Sequence, residues 1–132
     1  MSQDWYADIL DFHEEFEHHI EPHPAIAPQE VRSLRSKLIR EEVNELLDGL
    51  DDCNLEKTAD GAADSIVVIL GTCISYGIDL RPIWDEVHAT NMAKKGGGKR
   101  PDGKTQKPEG WQPPRIKELL QEQIRSGGEK RS

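Results

Sequence analysis

The sequence predicts an all-α helical bundle of four to five helices, and three observations lead there. Apolar residues recur at helical spacing in successive segments. Residues 66–74, "IVVILGTCI", are apolar around the whole helical circumference and lie in a segment of about 20 residues, longer than an ordinary strand. No segment alternates polar with apolar residues, and no internal repeat is visible. At 132 residues the chain makes one domain, with residues 1–93 as the bundle and 94–132 as a tail packing on it.

The first helix spans about residues 5–19, with Trp5, Ile9, Phe12 and Phe16 on one face. "EPHPAIAP" follows, and its three prolines make an extended connector. The second helix, about 29–50, is entered through Pro28, and its stripe drifts from Val31, Leu34 and Leu38 toward Val43, Leu46, Leu47 and Leu50. The third, about 55–76, ends at Gly77, a suitable C-cap. A helix without a polar face must be covered on every side. Three neighbours hardly suffice, so a homodimer or a dimer of dimers is expected to complete the core. The fourth helix, about 80–93, has Pro82 in its first turn and stops before "KKGGGKRPDGK". Beyond it the tail reads as irregular.

Composition narrows the functional classes. No run of 18 apolar residues occurs, so no membrane span is expected, and "MSQDWYADILDFHEEFEHH" lacks the basic and apolar regions of a signal peptide. Cys53 and Cys73 have no metal-like spacing and read as reduced thiols, which places the chain in the cytoplasm. The net charge of −8 hides a split: residues 1–93 hold 20 acids against 6 Lys/Arg, and residues 94–132 hold 11 Lys/Arg against 5 acids. An acidic body argues against a nucleic-acid partner, because phosphate contacts need a basic face. The basic tail can bring positive charge to an anion held near that body.

The chemistry begins in "LIREEVNELLDGL". On a wheel advancing ~100° per residue, Val31, Leu34 and Leu38 share an arc of ~60°. Glu42 and Glu45 continue the same line, with Glu41 at its edge. An ionised carboxylate in a core costs several kcal/mol unless a cation pairs with it. These acids are therefore wet, neutralised by Arg32, Arg35, Lys37 or Arg40, or gathered around a metal. Asp60 and Asp64 stand four apart on one face of the third helix, Asp64 immediately before the apolar run. Two antiparallel helices giving inward carboxylates form the usual carboxylate metal cage of a bundle. Oxygen-only ligands of high charge select a hard cation, Mg²⁺ or Mn²⁺. On the fourth helix Asn91 continues the Trp84, Val87, His88 face with Lys94 one turn on, a pair suited to phosphate oxygens.

Other motifs carry less. "GKRPDGKT" matches the P-loop pattern letter for letter, but it follows a helix, and Pro108, Pro113 and Pro114 forbid a helix starting at Lys104. Lys104 and Lys107 can still reach phosphate from a loop. His13, His18, His19 and His23 read as a solvated face, since a helix joining His19 to His23 would have to pass Pro22. Trp111, among glycine and prolines, reads as an anchor pinning the tail to the body, with a base-stacking role as the alternative.

Taken in order, "LIREEVNEL", "ADGAADSIVVILGT", "EVHATNMAKK" and "DGKTQKPEGWQPP" resemble the MazG-like all-α NTP pyrophosphatases, the group of dimeric dUTPases and phosphoribosyl-ATP pyrophosphohydrolases. The resemblance spans about residues 34–116, and its last two motifs look closest to a subgroup with dUTPase-type activity. It implies that Glu42, Glu45 and Asp64 hold Mg²⁺, that Glu41 positions or deprotonates the attacking water, and that Asn91 and Lys94 contact phosphates or nucleotide. One departure stands out: the second motif of the family is E-x-x-D, and its Glu position is Gly61 here. Asp60 is the candidate replacement, although it points ~100° away on the wheel. The implied reaction converts a nucleoside triphosphate, with dUTP a candidate, to monophosphate and pyrophosphate. A non-catalytic nucleotide-binding or regulatory dimer is the alternative.

Overall fold

The computed structural model describes residues 4–131, with side chains described as far as Gly127. Asp4 opens α1 (Trp5–Glu15), its carboxylate accepting the Ala7 N–H at 2.9 Å. The helix stops four residues before the predicted end at His19. Glu17 takes φ +56°, and the His18 N–H returns to the His13 carbonyl at 2.9 Å, a closure usually given to glycine. A glutamate in that position leaves no signal in the sequence.

α2 (Gln29–Asp51) and α3 (Leu55–Ser75) form an antiparallel hairpin joined by only three residues. Cys53 adopts φ +52° there, the Asn54 N–H closes α2 on the Gly49 carbonyl at 3.0 Å, and the Asn54 side chain caps α3 through the Lys57 N–H at 3.0 Å. Two glycines let the helices lie backbone to backbone. A Cβ on Gly61 would stand 2.7 Å from the Leu46 Cα, and one on Gly49 would stand 2.8 Å from the Thr58 nitrogen. α3 ends as predicted at Gly77, φ +69°, with the Gly77 N–H on the Ile74 carbonyl at 3.0 Å and the Ile78 N–H on the Cys73 carbonyl at 2.9 Å.

The proline connector runs along this end of α3. The Ala25 N–H donates to the Tyr76 carbonyl at 2.9 Å, and the Ser75 hydroxyl donates to the His19 carbonyl at 2.9 Å. α1 packs on α3, and Ala27, Leu70, Ile74 and Ile83 are the buried apolar residues. His13 joins them at 2 % exposure, so the predicted solvated histidine face is overturned. The early stop of α1 folds His18 and His19 back over His13, and none of the four histidines is classed as exposed.

By length and composition alone α3 is apolar enough to cross a bilayer. Its glycine and Asp64 side instead packs on α2, while Ile66 and Ile69 stay exposed, as do Phe12 and Phe16 on α1 and Leu34 on α2. One copy therefore does not supply the cover that the sequence calls for.

α4 (Leu80–Met92) is capped by Asp79, whose carboxylate accepts the Arg81 N–H at 3.1 Å. Arg81 also bridges to Asp4 at 2.6 Å, fastening the start of α4 to the start of α1. The tail is not irregular throughout, as the sequence suggested, because it ends in a fifth helix, α5 (Ile116–Arg131). α5 packs on α4. The Gln123 amide locks it to Asp79, accepting that residue's N–H at 2.9 Å and donating to its carbonyl at 2.8 Å.

Candidate metal centre

The α2–α3 hairpin brings Glu42, Glu45 and Asp64 together, with one carboxylate oxygen of each lying within 4.8 Å of the others. Oxygens bound to one Mg²⁺ or Ca²⁺ at ~2.0–2.6 Å can stand no farther apart than ~4–5 Å, so the spread matches a shared hard cation. Glu42 Oε2 is buried without a hydrogen-bond partner. Burial pushes the Glu42 carboxyl above its ordinary value, and the charges of Asp64, Glu45, Glu41 and Asp60 push it further. Among the described residues no Lys, Arg or His lies within ion-pair distance of these three carboxylates. The donor set, the orphaned oxygen and the missing counter-charge all fit a divalent ion.

Arg35, the buried arginine among the cations that could have neutralised the cluster, is committed elsewhere. Arg35, 6 % exposed, donates through Nη2 to the Val68 carbonyl at 2.8 Å and through Nε to the Thr72 hydroxyl at 3.1 Å. Glu41 is exposed beside the cluster, with Lys37 Nζ 4.0 Å away. Asp60 is exposed and outside the three-residue group, and it reaches Glu42 only through its field. Gly61, at the glutamate position of the E-x-x-D motif, is aimed at the α2 backbone, where any side chain would part the helices.

A second group forms where α4 meets the tail. Lys94 Nζ donates to the Asn91 amide oxygen at 3.0 Å and stands 5.4 Å from the centre of the Trp111 ring. Lys107 Nζ lies 4.6 Å from that centre. Trp111 Nε1 donates to the Thr90 carbonyl at 2.7 Å, which is the expected anchoring of the tail. Lys104 stands apart, in a loop over residues 98–106 closed by the Lys99–Thr105 bridge. The P-loop-like letters therefore belong to a turn followed by no helix. No hydrogen bond or ion pair among the described residues joins Asn91, Lys94, Lys104, Lys107 or Trp111 to the carboxylates.

Sequence reasoning missed two groups at the junction of α1, α2 and α3. The ideal Cβ of Gly71 would meet Arg35 Nη2 at 2.4 Å and His13 Nε2 at 2.7 Å, so this glycine makes room for both. Burial drives His13 down to about 4, aided by the Arg35 and His18 charges and opposed by its bond to the His19 carbonyl. A signal for Arg35 existed: it lies ~40° from Val31 on the wheel, just beyond the edge of the apolar arc.

No curated protein matches the chain. Residues 9–91, which include the whole α2–α3 hairpin with Glu42, Glu45 and Asp64, match the phosphoribosyl-ATP pyrophosphohydrolase family. That family consists of divalent-metal-dependent enzymes within the MazG-like all-α NTP pyrophosphatase superfamily. With such a match over most of its length and a carboxylate cluster on its central hairpin, the chain belongs to the phosphoribosyl-ATP pyrophosphohydrolase family.

Proposed function

We propose that the chain hydrolyses the α–β phosphoanhydride of a nucleoside triphosphate or related nucleotide, releasing pyrophosphate and a monophosphate, with Mg²⁺ held by Glu42, Glu45 and Asp64. The observation that carries this reading is the buried, unpartnered Glu42 oxygen within a three-carboxylate group that has no protein counter-charge. Such an ion, when bound, supplies an acidified water and positive charge against the phosphates. Glu41, exposed at the edge of the group, positions or deprotonates the attacking water in this reading. Asn91 and Lys94 donate to phosphate oxygens, which requires Lys94 to leave the Asn91 amide. Lys104 and Lys107 add positive charge from the tail, and Trp111 keeps that segment near the end of α4. Asp60 contributes charge near the site rather than a ligand in the arrangement described.

Phosphoribosyl-ATP, from which the family takes its name, and dUTP, suggested by the tail motifs, both offer the required anhydride. A second copy of the chain covers the apolar face of α1 and α3 in this reading. One observation favours a different outcome. With Gly61 in place of a fourth carboxylate, the chain could bind metal and nucleotide without turnover. Assaying pyrophosphate release from a panel of nucleoside triphosphates and phosphoribosyl-ATP, with Mg²⁺ or Mn²⁺, separates the two. Release that depends on metal supports hydrolysis, whereas metal-dependent binding with no release establishes the non-catalytic reading.

A further inference from the structure

A pocket of about 300 Å³ opens between α2 and α3, on the N-terminal side of the carboxylates along α2. Three guanidinium-bearing residues line it, Arg32, Arg35 and Arg40, together with Ser36, Thr72 and Tyr76, and Ile39 supplies the apolar side. No acid lines it. Arg35 is the unusual member. A buried guanidinium stays charged and normally sits against a carboxylate. Here both of its protein acceptors are neutral, the Val68 carbonyl and the Thr72 hydroxyl. Those bonds use Nε and Nη2, and Nη1 bonds to no protein group among the described residues. Arg32 spends one donor on the Ala27 carbonyl at 3.2 Å, and Arg40 has no ion-pair partner among the described residues. The nearest acid on that side, Glu41, has Lys37 as its ion-pair partner.

We propose that this pocket binds a phosphoryl group. A buried guanidinium with no acidic partner, in a pocket lined by two further arginines and no acid, favours an anion there, and planar forks match tetrahedral oxyanions. The Thr72 hydroxyl gives its proton to the Val68 carbonyl at 2.7 Å, so the donors left for the anion are those of the arginines, Ser36 and Tyr76. Arg35 and Glu42 are seven residues apart on α2, about 10 Å along the axis. The phosphoryl group is therefore either a remote part of the nucleotide held at the carboxylates or a separate phosphate. The proposal does not depend on hydrolysis or on the metal.

The test uses the full chain in EDTA at fixed ionic strength, with inorganic phosphate as probe and its ³¹P line width as readout. Arg35 is buried and its replacement risks the fold, so the variants are at the rim, Arg32→Gln and Arg40→Gln. Expected is a broadened ³¹P line with the parent protein and at least a fivefold weaker apparent affinity in each variant. A line that stays narrow, or broadening that survives in both variants, overturns the proposal. Adding Mg²⁺ and a non-hydrolysable α,β-methylene nucleoside triphosphate then distinguishes the sources. Loss of the phosphate signal marks a shared ligand, and its persistence marks a second anion. Glu42→Gln keeps phosphate binding in either case, so failure of the metal centre and failure of this pocket give different results.

Discussion

Glu42, with one buried carboxylate oxygen, and His13, buried outright, are titratable groups shifted in opposite directions, and each makes a separate prediction. Glu42 is raised, so the folded chain holds that proton more firmly than the unfolded one. Stability at this residue is gained as pH falls through the range just above the ordinary carboxylate value and is lost as pH rises through it. A bound divalent ion replaces the proton, so the rise in melting temperature caused by Mg²⁺ should grow with pH. Glu42→Gln should abolish that rise, leave the metal-free protein folded, and lower pyrophosphate release by more than about 100-fold, the upper end of what loss of a ligand's supporting contact costs. Differential scanning calorimetry and a coupled pyrophosphate assay measure both. His13 is lowered from 6.5 to about 4, so the unfolded chain takes the proton first as pH falls. Its contribution is fully present above pH 6.5 and is lost on the way down to about 4. The loss is on the order of 3 kcal/mol. Urea unfolding at pH 7 and pH 5 should show a smaller drop for His13→Leu than for the parent chain.

At the scale of the element, the α2–α3 hairpin owes its closeness to Gly49 and Gly61. Gly61→Ala would place a methyl 2.7 Å from the Leu46 Cα, so the helices must separate. A cost of about 1–3 kcal/mol is expected from overpacking, read as a lower urea midpoint. The same separation should weaken Mg²⁺ binding, because Glu42 and Asp64 sit on opposite partners of the pair. This contact also explains what the sequence could and could not reveal. Helical periodicity made α2, α3 and α4 legible to within about a residue, as did the Gly77 stop and the three clustered acids. The early end of α1 was hidden because Glu17 performs a turn that glycine ordinarily performs. α5 was missed because prolines before Ile116 made the whole tail read as irregular, although its Ile116, Leu119 and Leu120 are half-buried. His13 looked solvated because its burial depends on that hidden turn. Gly61 read as a lost ligand, whereas its lack of a side chain is what lets the two acid-bearing helices meet.

For the whole molecule, the exposed apolar side chains of α1 and α3 bear on assembly. Ile66 and Ile69, with Phe12 and Phe16, present a surface that a second copy should cover. Ile69→Asp, at a position 42 % exposed in one copy, should leave the helical content intact and shift the mass measured by light scattering to that of a single chain. An unchanged mass would remove this face from the interface. The short α2–α3 connection has a kinetic consequence as well. Glu42, Glu45 and Asp64 all belong to one local hairpin whose ends are joined by three residues. Chains rich in near-neighbour contacts organise early, so this carboxylate group can form before α4 and α5 dock. Mg²⁺ should therefore speed refolding more than it slows unfolding, a partition that stopped-flow fluorescence across a urea series would read directly.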